Sequence, residues 1–228
     1  MERTEVERIL VAAEQELASG ASVDLRRLGF WRAVEAVKDR QDWIEAYGER
    51  ISIIDREALR RDTWIDVPLT FGLGTLAIGT VVGLALVGGA FATPLPVNGL
   101  MLLAGAAVLL ATTHDLAHWA VGRAVGIRFT ELFIARPSRP QPGIKIDYAT
   151  YLRTPARARA WMHASGALVT KAIPFAFIPF AVAAQAPRWV AVILAVLGVI
   201  QIATDMLFST KTSDWKRFKR EMRHVPTG

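Results

Sequence analysis

From Val67 to Thr113 the chain carries no charged residue. A helix needs about 20 apolar residues to cross a bilayer, so a run of this length holds more than one crossing. Pro94 and Pro96 divide it into two spans, at about 67–91 and 99–126. Two further apolar stretches, at about 161–186 and 189–208, bring the number to four. Gly and Ala are abundant throughout, which permits close helix contact. The expected architecture is a mainly α, polytopic membrane protein.

The charges outside these spans are unevenly placed. Residues 1–66 hold 11 Lys and Arg against 15 Asp and Glu, whereas residues 67–228 hold 16 against 6. The basic excess flanks apolar segments, which fits membrane orientation better than nucleic-acid binding. Eight positive residues lie between Arg123 and Arg159, the tail after Lys211 is also basic, and the loop between the first two spans has none. The positive-inside rule therefore puts the central loop and both termini on the cytoplasmic side of a prokaryotic plasma membrane.

Three regions follow: a cytoplasmic helical segment over 1–64, a membrane-embedded core over 65–210 and a basic cytoplasmic tail over 211–228. In the first region, Val6, Ile9, Leu10, Ala13 and Leu17 recur at helical spacing and Gly20 supplies a stop. Asp24 is placed to cap a second helix with Leu28, Trp31, Val34 and Val37 on one stripe. A third carries Trp43, Ile44, Tyr47, Ile51, Ile54 and Leu59. Three amphipathic helices form a small bundle or lie on the membrane surface. In the loop over 127–157, the β-branched and aromatic runs 127–135 and 144–152 flank the Pro- and Gly-containing segment 136–143. That pattern predicts a β-hairpin.

The chemistry is concentrated in the second span. His114 and His118 are four residues apart, so one helix face presents both imidazoles. Asp115 stands between them, which is the layout of the His-Glu-x-x-His zinc signature with Asp for Glu. Ionisable groups inside a span are costly and usually functional. With no cysteine in the chain, a metal site must draw on His, Asp or Glu.

Depth suggests a third ligand. If Arg123 and Lys211 mark the cytoplasmic interface, the histidine pair lies roughly 10 Å inside and Asp205 roughly 9 Å inside, at 1.5 Å per residue. His114, His118 and Asp205, with a fourth position open to water, would make a catalytic Zn2+ arrangement. Asp214 is the alternative, within reach if the chain after Phe208 folds back. Asp115 is then the candidate proton acceptor for the water and donor to a leaving amine. Lys171, in the third span, could pair with Asp115 or Asp205, polarise a substrate carbonyl, or snorkel to the interface. His163 reads as a surface or interfacial histidine.

The string His114-Asp115-Leu116-Ala117-His118, with Gly122 and Gly126 behind it, resembles the first motif of the site-2 protease family of intramembrane zinc metalloproteases. Tyr151 to Ala156 is similar to that family's stretch leading into the next span, and Ala164 to Thr170 to a diverged form of its next motif. The similarity covers about residues 70–220. Asp115 replaces the family's Glu, and the family's final ligand motif has no counterpart string, leaving Asp205 and Asp214 as candidates. The resemblance implies hydrolysis of a peptide bond in or near a transmembrane helix of a membrane-protein substrate. Two alternatives are a metal-binding relative that holds membrane clients uncut and a non-enzymatic membrane transport component. Oligomeric state is not legible in the sequence.

Overall fold

A computed structural model describes residues 1–20, 23–136, 139–207 and 213–226 of the chain. Phe208 and Lys211, used above to mark the end of the fourth span, lie outside the described residues. The chain divides into two compact units. One comprises Met1–Leu69, Gly122–Ala158 and His224–Gly228, and the other Thr70–Val121 and Arg159–Arg223.

In the first unit, helices α1 (Arg3–Ala18), α2 (Phe30–Val37) and α3 (Gln41–Asp62) pack pairwise. All five residues of the first predicted stripe are buried in α1. Gly20 ends that helix's turn at a φ of 78°, a left-handed conformation that glycine adopts without a Cβ penalty. On α2 the buried face is Phe30, Ala33, Val34 and Val37, while Trp31 is 38% exposed. Val34 and Val37 of the predicted stripe are thus buried, whereas Leu28 precedes the helix and Trp31 faces outward, because Asp24 does not cap the helix. Asp24 instead accepts hydrogen bonds from the amides of Arg26 and Arg27, and the helix starts after Gly29. Arg50 of α3 holds Glu7 at 2.6 Å and Glu14 at 2.9 Å, tying α3 to α1.

A three-stranded antiparallel sheet completes this unit, in the order β1 (Ile65–Pro68), β2 (Phe129–Arg136), β3 (Arg139–Ile146). The hairpin is therefore present, but its second strand comes earlier in sequence than predicted. The segment 148–152 is helical, within α6 (Tyr148–Arg153). The reason is local: the Asp147 carboxylate accepts from the amides of Ala149 and Thr150 and caps a helix. β1 was not foreseen. It is short and abuts the first span, and Ile65 pairs with Ile134 across the ladder. Beneath this sheet region Lys145 and Asp55 form a buried ion pair. Burial raises the Asp55 pKa, and the Lys145 ammonium works against that rise.

The second unit holds helices α4 (Leu69–Gly89), α5 (Val97–Ala124), α7 (Ala156–Ala183) and α8 (Arg188–Leu207), and the short α9 (Asp214–Met222). α4, α5, α7 and α8 are long and apolar enough to cross a membrane, with mean hydropathies of 1.6 to 2.3. This is the organisation expected of a membrane protein. Their shared core contains Val87, Leu102, Leu109, Phe177, Val190 and Leu194. Large apolar side chains such as Phe71, Ile78, Val182 and Val199 point outward, each more than half exposed. An outward apolar surface of this kind suits a lipid solvent rather than water. Close helix approach depends on glycine: a Cβ at Gly105 would meet the Gly83 carbonyl at 2.9 Å, so α4 and α5 touch backbone to backbone.

Candidate metal centre

Three ligand atoms converge in the second unit. His114 Nε2 and His118 Nε2, on one face of α5, are 3.3 Å apart, and Asp214 Oδ2 lies 3.3 Å from each. Asp214 occupies the first turn of α9, whose N-terminus is capped by the Ser213 hydroxyl accepting from the Lys216 amide. The carboxylate also faces the helix's own positive end, a favourable placement for negative charge.

The histidines are oriented by groups behind them. His118 Nδ1–H donates to the Met162 carbonyl oxygen at 2.7 Å. The Thr170 hydroxyl donates to the Gly166 carbonyl at 2.8 Å, so its oxygen is left to accept from His114 Nδ1–H at 2.9 Å. With the proton of each ring on Nδ1, both Nε2 lone pairs face inward beside a carboxylate oxygen. Three acceptors turned toward one point repel one another unless a cation lies among them. Their spacing suits one: ligands 3.3 Å apart are the edges of a tetrahedron whose centre lies about 2.0 Å from each, the length of a zinc–imidazole bond. The donor set His-His-Asp is hard to borderline in character and leaves a fourth position open.

Gly166 makes this packing possible. A Cβ there would collide with the His118 ring, so α7 must carry glycine where it crosses α5. α9 is held to the start of α7 by Arg159 and Glu221, a fully buried pair 2.7 Å apart, and by the edge-on contact of Trp161 with Phe218. Asp214 sits by His118, whose partner is Met162, and Glu221 by Arg159, so α9 runs antiparallel to that stretch of α7.

Depth along the spans pairs the histidines with Asp205, whereas the structure brings Asp214 to them. Asp205 on α8 is instead bound to Lys171 at 2.7 Å, one of the pairings foreseen for that lysine. Depth along a span carries no information about a separate helix that docks beside it. α9 returns along α7 and carries its first-turn acid to the imidazoles. Asp115 is 7% exposed and has no hydrogen-bond partner among the described residues, so its carboxylate is unencumbered beside the pair. His163 is buried at 5% exposure rather than on the protein surface, and is not part of the metal group. Thr170 and the Met162 carbonyl were not foreseen, because hydrogen bonds to ring Nδ1 atoms across two helices have no sequence signature. Gly166 and Thr170 both lie in the string Ala164 to Thr170 singled out by resemblance, which assigned neither of them a role.

Gly126 has a separate role. Its φ is 89°, and the amides of Ile127 and Gly126 bond to the carbonyls of Gly122 and Arg123. This is a Schellman ending, so Gly126 terminates α5 after the histidines.

No protein-family model matches the chain, and neither a curated protein nor a solved structure matches it.

Proposed function

We propose that the protein is an intramembrane zinc metalloprotease that hydrolyses peptide bonds in or near transmembrane segments of membrane-protein substrates. The observation that carries this reading is the convergence of two oriented imidazole lone pairs, on a helix apolar enough to span a membrane, with a carboxylate oxygen from the short α9. The resemblance of the His114–Gly126 string to the site-2 protease family agrees with it.

In this reading His114, His118 and Asp214 hold the ion, while Thr170 and the Met162 carbonyl keep both rings in register. A zinc ion so held supplies Lewis acidity and makes water nucleophilic near neutral pH. Asp115, adjacent to His114 and unencumbered, accepts the proton released as the water oxygen joins the peptide carbonyl carbon. It returns that proton to the nitrogen as the C–N bond breaks, so the products are a carboxylate and an amine. Asp is one methylene shorter than the Glu usual at this position, which would shorten the reach of the proton acceptor toward an ion held there. The metal-binding, non-cleaving relative is the reading this shortening favours, and cleavage decides between them.

The test is Asp115→Asn in full-length protein reconstituted in vesicles with a single-span substrate. The variant is expected to keep its zinc and to lose cleavage by a factor on the order of 10²–10⁴, the usual contribution of a positioned proton-transfer group. Cleavage undiminished in Asp115→Asn would remove the assigned role. A wild-type protein that holds zinc but cleaves no substrate would support the client-binding alternative.

A further inference from the structure

A cavity of about 260 Å³ opens within the second unit between α7, α8 and α9. α7 contributes Ala167, Leu168 and Lys171 to its wall, α8 contributes Ile202 and Asp205, and α9 contributes Trp215. Three of these residues follow directly on members of the metal centre: Ala167 on Gly166, Lys171 on Thr170, and Trp215 on Asp214. Consecutive helical residues point about 100° apart. The cavity is therefore the next face round from the one that holds the histidines.

Its chemistry is specific. The wall is apolar except for Lys171 and Asp205, and these neutralise each other at 2.7 Å. An apolar group can lie against a satisfied ion pair, whereas a charged one would have to compete with one partner for the other. The volume suffices for a large side chain, since apolar cavities of about 150 Å³ already admit benzene. We propose that this cavity receives the bulky, uncharged side chain of the substrate residue next to the scissile bond, with the Lys171–Asp205 pair setting its charge preference. The inference rests on the protease reading above and extends it to substrate class: transmembrane segments with Leu or Phe at the cut.

The experiment uses full-length protein in vesicles and single-span substrates that differ only at the residue flanking the cleavage position, as Leu, Phe, Gly, Asp or Lys. Wild type is expected to cleave the Leu and Phe substrates at least tenfold faster than the others, the usual scale of pocket discrimination. Ala167→Trp fills the cavity, and the Leu-to-Gly rate ratio should fall at least tenfold while zinc content is unchanged. Lys171→Met leaves the Asp205 carboxylate facing the cavity alone, so the Lys-to-Leu ratio should rise at least tenfold. Identical side-chain preferences in wild type and both variants would overturn the pocket assignment and leave the protease reading standing. A wild-type protein that fills the cavity with a lipid acyl chain and cleaves all five substrates equally would overturn it too. A zinc-loaded wild type that cleaves none would overturn both readings.

Discussion

At the scale of single residues, the centre is built as much by the groups behind the ligands as by the ligands. Thr170 and the Met162 carbonyl fix which nitrogen of each ring carries its proton, and Gly166 gives the His118 ring the space it occupies. Thr170→Val preserves shape but removes the acceptor for His114 Nδ1–H. Zinc affinity, measured by chelator competition, should weaken on the order of 10–100-fold, as for other ligand-orienting partners. Gly166→Ala should weaken it at least as much, because the added methyl needs the volume of a ligand. Unchanged affinity in both variants would show that the rings are placed by something else. The ligand pair and Asp115 were legible in the sequence, since four-residue spacing projects onto one helix face. Asp214 was legible only as an alternative, because its arrival depends on where a separate short helix docks.

At the scale of elements, α9 is the part that completes the centre. It has nine residues, too few for a stable isolated helix, so its position comes from tertiary contacts. The buried Arg159–Glu221 pair and the Trp161–Phe218 ring contact supply them. Removing one partner of a buried ion pair leaves the other charge uncompensated at a cost of about 3–5 kcal/mol. Glu221→Ala should lower unfolding stability by about that amount in detergent and weaken zinc binding as well, because Asp214 rides on the same helix. Wild-type stability and zinc affinity in this variant would detach α9 from the metal centre. The longer elements were the more legible ones. The four apolar spans, the stripe of α1 and that of α3 up to Ile54 follow from hydropathy and period alone, while at the end of α3 Ala58 is buried in place of Leu59. The second strand was misplaced because Asp147 caps a helix inside a run of strand-forming residues, and capping geometry outweighs β-propensity over so few residues.

At the scale of the whole molecule, the separation of charge along the sequence foreshadows two kinds of structure. The charged N-terminal segment folds as three helices joined by ion pairs such as Arg50 with Glu7 and Glu14, in one unit with a small sheet drawn mostly from the central loop. The apolar segments fold as helices with apolar exteriors, and several of the ionisable residues packed among them are paired or gathered. Lys171 meets Asp205, Arg159 meets Glu221, and the histidines meet Asp214. That economy is what gives the histidine cluster its meaning: charge in an apolar setting is retained where it binds or reacts.

The central claim is that His114, His118 and Asp214 hold one zinc ion, and elemental analysis of the full-length protein, purified without chelators, tests it most directly. About one zinc per chain is expected in wild type, with loss in His114→Ala and Asp214→Ala and retention in Asp205→Ala. Metal-free wild-type protein, or zinc that survives Asp214→Ala and disappears in Asp205→Ala, would contradict the account.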